Sequence, residues 1–253
     1  MPLTALPAFS DNYIWTLSTP GCADIFVDPG QAAPVLAVTR TQMPAAILLT
    51  HHHADHIGGV EELRQRWPNL PVYAPDDERI AFPCYRVKEG DTIRLPGFEF
   101  KVLDVPGHTR SHIAFWGHGY LFCGDALFSL GCGRLFEGQP AQMLSSLRKL
   151  AALPPQTQVC SAHEYTRSNA AFALQVEPDN LALQQRYQQV LTLRQHNQPT
   201  LPVRLDSELQ CNPFLRTHTG SIRHRLAAHL GYVPKDETEI FAELRRWKDG
   251  FKG

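Results

Sequence analysis

THHHADHIGG, residues 50 to 59, places four histidines and one aspartate between positions 51 and 56. A packed core has no use for such a run. AAILLT (45 to 50) precedes it, a continuous apolar stretch with the pattern of a buried strand, and GG and VEELRQRW (60 to 67) follow with the start of a helix. The polar cluster therefore occupies a strand-to-helix loop. His51 and His53 are two apart and share a side of an extended segment, while His52 faces away. Asp55 and His56 follow where the chain turns. Imidazole and carboxylate donors suit zinc, iron or manganese, and no nearby cysteine points to a thiolate site.

One ion needs about three protein ligands and an open position, so further donors are expected at other strand ends. Three stand out: His108 in PGHTRSH after FEFKVLDV (98 to 105), Asp125 closing YLFCGD (120 to 125), and His163 just after TQVCSA (157 to 162). None has a packing reason to be there.

The rest of the chain sets the frame. Its 253 residues are 43% hydrophobic, with 24 Lys and Arg against 25 Asp and Glu. That length suffices for one large domain or two modest ones, and the even charge disfavours a nucleic-acid or anionic-membrane partner. The N-terminus carries no signal-peptide pattern and no run nears the roughly 18 apolar residues of a membrane span. Cytoplasmic residence is expected. Six cysteines without CxxC spacing read as reduced thiols.

Short β patterns at 12 to 17, 24 to 28, 45 to 50, 71 to 74, 98 to 105, 112 to 116, 120 to 125 and 157 to 162 fill the first part, with helices after Gly59 and from about Ala141. After Ser168 helical spacing dominates, and the last helix has a start signal in Asp236 followed by Glu239. The expected class is α+β, with a layered domain over residues 1–167 and a helical domain over 168–253. Asp28 and the glycines at 30, 58, 59, 107 and 124 are expected to serve turns.

HHHADH matches the H-x-H-x-D-H signature of the metallo-β-lactamase superfamily, and His108, Asp125 and His163 follow in its order. The resemblance implies an αββα sandwich and two divalent ions, zinc first, with iron or manganese as the other choices. It assigns His51, His53 and His108 to one ion, Asp55, His56 and His163 to the other, and Asp125 to both. Asp55 would also orient or accept the proton of the attacking water. GCGRLFEG (131 to 138), AHEYT (162 to 166), NPFLR (212 to 216) and RRWKDGFK (245 to 252) further resemble the glyoxalase II family of hydroxyacylglutathione hydrolases. That family cleaves S-D-lactoylglutathione and other 2-hydroxyacyl thioesters to glutathione and the hydroxy acid, the second step of methylglyoxal detoxification.

Glutathione carries two carboxylates, so local cations are needed, and Arg245 and Lys248 are i,i+3 on one helix face. Arg134, Tyr165 and Phe136 complete the expected substrate contacts. Phe136 stands where many members have Tyr, and Ser111 where Gly is usual. The competing expectation is a mononuclear iron oxidoreductase resembling the glutathione persulfide dioxygenases. Retention of His56 beside Asp55, and RRWK in the tail, favours the hydrolase. A non-catalytic metal module would lack open coordination positions. A monomer acting on a small molecule is expected.

Overall fold

A computed structural model of the chain describes residues 1–39 and 41–252. It divides into two compact units, one of residues 1–104 and 111–124, the other of residues 105–110 and the chain from Asp125 onward.

The first unit contains β1 (Leu3–Ala8), β2 (Asn12–Leu17), β3 (Ile25–Val27), α1 (Ala32–Thr39), β4 (Ala46–Leu48), α2 (Ala54–Ile57), α3 (Val60–Arg66), β5 (Val72–Ala74), β6 (Tyr85–Arg86), β7 (Thr92–Leu95), β8 (Phe98–Asp104), β9 (Ile113–Gly117) and β10 (Tyr120–Gly124). Strands β1 to β6 form a sheet in chain order. Pairing is antiparallel from β1 to β3 and parallel from β3 to β6, with Val27 beside Leu48 and Leu48 beside Tyr73. The switch follows from connection length, because α1 and α3 cross over where a hairpin could not.

Ile14, Phe26, Ile47 and Leu49 bury one face of this sheet against Val35 of α1 and Val60 and Leu63 of α3. Trp15, Leu17, Ile25, Val27 and Leu48, on the opposite face, are buried as deeply. Both faces are thus covered, which accounts for the unbroken apolar pattern of AAILLT. Strands β7 to β10 form antiparallel neighbours in a second sheet. There β8 alternates, with Phe98, Phe100 and Val102 buried and Glu99 and Lys101 exposed. One face meets water.

The second unit contains β11 (Leu127–Phe128), β12 (Gly131–Cys132), α4 (Pro140–Ala151), β13 (Gln158–Ser161), α5 (Thr166–Val176), α6 (Leu181–Gln195), β14 (Val203–Arg204), α7 (Leu205–Cys211), α8 (Gly220–Leu230) and α9 (Glu237–Gly250). Here β11 pairs with β12 and β13 with β14. Helix α4 begins with a capping box of Gln139 and Gln142, and α9 begins as the sequence signals, with Asp236 Oδ1 accepting from Glu239 N at 2.9 Å. Phe172, Phe214, Phe241 and Trp247 tie the helices together through ring contacts of 5.5 to 6.2 Å. Among the described residues no helix is long and apolar enough to cross a membrane.

The eight β patterns read from sequence all coincide with strands. Six strands lie outside those patterns: β6, β11, β12 and β14 have two residues each, LTALPA of β1 carries a proline and is largely half-buried or exposed, and TIRL of β7 is short. None has the longer apolar run that identifies the other eight.

Gly59, at the start of α3, is fixed by space. A Cβ there would lie 2.5 Å from Ala32 N and 2.7 Å from Pro29 O, both backbone atoms. Gly59→Ala is expected to destabilise the chain by about 1–3 kcal/mol through overpacking, measured as a lower urea midpoint at unchanged m-value.

Candidate metal centre and substrate pocket

Four of the seven expected ligands lie in the first unit, just beyond β4. Thr50 ends the strand, and Asp28 holds it from the end of β3: Thr50 N donates to Asp28 Oδ1 at 2.8 Å and Thr50 Oγ1 to Asp28 Oδ2 at 2.7 Å. With its own hydrogen committed to Asp28, the Thr50 hydroxyl can only accept from His51 Nδ1 at 3.0 Å. His56 Nδ1 lies 3.0 Å from Asp28 Oδ2 and donates to it. Both rings then present Nε2 without a proton. His51 Nε2 faces His53 Nδ1 at 3.0 Å, and His56 Nε2 faces Asp55 Oδ2 at 3.4 Å. Asn12 Nδ2 donates to Asp55 Oδ2 at 3.0 Å. His112, anchored to Ile113 O, stacks on His51 with centroids 4.6 Å apart.

Asp28 therefore does more than the turn expected of it. Its φ of 53° does fit a turn, but its carboxylate sets the tautomer of His56 directly and of His51 through Thr50. The signal was visible: DIFVD ends an apolar strand in an acid, the same pattern that marks Asp125. His52 points elsewhere, its Nδ1 3.5 Å from Asp77 Oδ2. Asp77 is buried and held by Arg79 at 2.7 to 3.0 Å and by Ser111 Oγ at 2.5 Å. The Arg79 guanidinium, above all, keeps that carboxyl well below its usual range, and Ser111 and His52 add to it. Ser111 thus has a partner that glycine could not supply.

The other three ligands lie in the second unit. His108 Nδ1 is 2.9 Å from Arg134 O. A carbonyl only accepts, so the proton sits on Nδ1 and Nε2 is bare. That Nε2 lies 3.4 Å from Asp125 Oδ2, and His163 Nε2 lies 3.4 Å from Asp125 Oδ1. One carboxylate thus offers each oxygen to a different imidazole. Metal bonds of about 2.0–2.1 Å in a tetrahedral site separate neighbouring donors by roughly 3.3 Å. The pairs in both units have that spacing. The donor set fits divalent metal binding, with Nδ1 protons held by oxygen acceptors.

A pocket of about 460 Å³ in the second unit is lined by His108 and Asp125 together with Arg134, Phe136, Tyr165, Arg245 and Lys248. All five expected substrate-binding residues lie in its wall. Tyr165 stacks on His163 with centroids 4.7 Å apart, and Phe136, 63% exposed, lies edge-on to His108 at 5.1 Å. Arg245 is buried; its Nη1 donates to Cys132 O at 2.8 Å and its Nη2 pairs with Asp249 at 2.9 Å. Lys248 Nζ donates to Ser168 O and Oγ at 3.2 Å. Burial, with Arg245 and Arg134 nearby, lowers the Lys248 ammonium to about 8. Phe128, Cys132, Ser168, Asn169 and Phe251 complete the lining. Sequence spacing does not single them out, since each enters by a tertiary contact and none carries the acid or histidine that marks a strand end as a ligand site.

Removing Asp28 tests the tautomer argument. Asp28→Ala is expected to weaken metal retention by about 10–100-fold, the usual loss for such supporting groups, read by competition with a chelator. Unchanged retention would show that His51 and His56 need no anchor.

The sequence pattern of the family described as hydroxyacylglutathione hydrolase C-terminus matches residues 164–251, and that of the metallo-beta-lactamase superfamily matches residues 40–163. The hydroxyacylglutathione hydrolase of Xylella fastidiosa (strain 9a5c) is 60% identical over 252 residues, covering 99% of this chain and 98% of its own. The protein of that name from Xanthomonas campestris pv. campestris (strain B100) is 57% identical over the full length of both. The crystal structure of ETHE1 from Myxococcus xanthus has a TM-score of 0.67 over 98% of each chain at 22% identity, a likeness of fold alone. The chain, a metallo-β-lactamase domain followed by a helical C-terminal domain, belongs to the hydroxyacylglutathione hydrolases of the metallo-β-lactamase superfamily.

Proposed function

We propose that the chain hydrolyses S-D-lactoylglutathione and related S-(2-hydroxyacyl)glutathiones to glutathione and the 2-hydroxy acid. One observation carries the reading: a single pocket holds the ligand pair His108 and Asp125 alongside the cations Arg134, Arg245 and Lys248. Ligands for a hydrolytic metal and partners for an anionic thioester share one wall. Full-length identity to hydroxyacylglutathione hydrolases supports the same substrate.

In this reading residues 1–167 supply catalysis and 168–253 substrate binding. His51, His53 and His108 would hold one ion and Asp55, His56 and His163 the other, and Asp125 would serve both. Zinc is the proposed metal, with iron and manganese compatible with the same donors. Bound ions would activate water and polarise the thioester carbonyl. Asp55, oriented by Asn12 at 3.0 Å, takes the proton of the attacking water. Arg245 and Lys248 bind glutathione carboxylates, Tyr165 and Arg134 line the peptide part, and Phe136 contributes an apolar wall. The leaving group is a thiol of pKa about 8.5, which departs as thiolate without a proton donor. The chain accordingly needs no general acid.

The metal-loaded chain is expected to consume S-D-lactoylglutathione, followed as loss of thioester absorbance. Absence of turnover, with oxygen uptake on glutathione persulfide, would replace the hydrolase by an oxidoreductase.

Arg245→Ala and Lys248→Ala are each expected to raise KM about tenfold with little change in kcat, because they grip a part of the substrate remote from the carbonyl. Lys248 is charged below about 8, so its contribution is complete at neutral pH and lost as pH rises through that value. KM should climb above pH 8 in the parent chain and stay flat there in Lys248→Arg. A parent profile flat to pH 9 would remove Lys248 from the carboxylate site.

A further inference from the structure

The backbone between β11 and β12 is a two-residue turn. Leu127 pairs with Cys132 and Phe128 with Gly131, leaving Ser129 and Leu130 at the tip. Leu130 has φ 58°, a region that disfavours a branched side chain unless its surroundings over-determine it. They do so here. Glu208, fully buried on α7, accepts from Leu130 N at 2.7 Å and from Ser129 Oγ at 2.8 Å. Asn212, equally buried just past α7, donates to Phe128 O at 3.1 Å, Gly131 O at 3.0 Å and Glu208 Oε2 at 3.0 Å. Asn169 of α5 donates to Ser129 O at 3.1 Å. The Leu130 side chain packs among Ala170, Ala173, Leu183 and Cys211.

An apolar residue would fill the place of Glu208 without the cost of burying a carboxylate. What the carboxylate supplies is geometry: an acceptor for a backbone N–H that has no partner in a two-residue turn. The turn in question connects the two halves of the pocket. Asp125 stands two residues before β11, and Phe128 at its end lies 5.2 Å from Tyr165, ring to ring. On the other side, Cys132 O is the acceptor that fixes Arg245 Nη1 at 2.8 Å. A shift of the hairpin would reach the proposed carboxylate-binding arginine through that bond and the longer contact of the same Nη1 to Cys132 Sγ at 3.8 Å.

We propose that Glu208 and Asn212 are positioning residues for the thioester site, holding the Leu127–Cys132 hairpin so that Cys132 O keeps Arg245 aimed into the pocket. The inference rests on the reading of that pocket as a glutathione site. Neither residue touches the substrate, and both act through Arg245.

A double-mutant cycle separates this role from a general loss of stability, because a positioning effect disappears once the positioned residue is gone. The full, metal-loaded chain is titrated calorimetrically with S-methylglutathione. Glu208→Ala is expected to weaken binding about tenfold in the parent chain and less than about twofold in the Arg245→Ala background. Glu208→Gln should stay within about threefold of the parent, since its amide oxygen still accepts from Leu130 N and Asn212 while the Ser129 hydroxyl turns to accept. Should Glu208→Ala not fold, Ser129→Ala removes one bond from the same network and is scored likewise, about two- to fourfold in the parent and no effect without Arg245. Equal losses in both backgrounds would overturn the positioning role. A parent chain that fails to bind S-methylglutathione at all would instead overturn the glutathione reading on which it rests.

Discussion

A histidine can bind a metal only through a nitrogen that carries no proton, and that constraint shapes the polar architecture of both units. Each ring must place its one hydrogen on the far nitrogen, so each needs an acceptor there. In the first unit Asp28 serves His56 directly and His51 by way of Thr50, whose hydroxyl becomes an acceptor only because Asp28 takes its hydrogen. In the second unit Arg134 O serves His108. These acceptors come from backbone and from residues just past strand ends, positions that the strands hold in place. Loop side chains alone would leave the rings free to turn. The strand ends in each unit therefore do more than carry donor side chains, since they also set which ring nitrogen holds the proton.

That logic explains which parts of the molecule were legible in the sequence. Strand patterns were strong because β2 to β4 are buried on both faces and read as unbroken apolar runs, and the expected ligands are the polar residues that close such runs. His51, His53, Asp55, His56, Asp125 and His163 were visible in this way. Asp28 obeys the same rule, but the turn it also makes, at φ 53°, already accounts for its residue type and hides the second use of its carboxylate. Glu208 could not be read at all. Its buried carboxylate lies on a short helix whose sequence, LDSELQC, looks amphipathic and solvent-facing, and its partners are 78 and 79 residues away. Nonlocal hydrogen bonds leave no spacing in the sequence. Arg245 and Lys248 were legible as a pair of cations, but their unequal fates were not: one is buried under Asp249 and Cys132 O, the other reaches Ser168.

This inequality bears on the anion-binding role proposed for the pocket. Arg245 has its guanidinium fixed before any ligand arrives, with Asp249 and Cys132 O on two sides and the Phe214 ring 5.2 Å from its Cζ. Less side-chain entropy remains to be lost on binding, which is the advantage of preorganisation. Lys248, on a flexible stem, keeps rotamer freedom, and burial makes its charge conditional on pH near 8. The pair combines a rigid cation with a titrating one.

Cys132 illustrates the same balance from the opposite side. It lines the pocket, and its Sγ lies 3.8 Å from Arg245 Nη1, a neighbour that favours the thiolate. A thiolate beside a thioester would be a competing nucleophile, and an acyl-cysteine would be the result. Burial is the larger effect and pushes the thiol up to about 11. At neutral pH the sulfur stays protonated and its carbonyl oxygen, not its thiol, is the group the site uses. A cysteine in an enzyme for thioesters is compatible with hydrolysis by water because desolvation outweighs the nearest positive charge. Burial of Cys132 is thereby also what keeps it chemically silent, and an opening of the hairpin that admitted water would both loosen Arg245 and lower the free-energy cost of ionising the thiol.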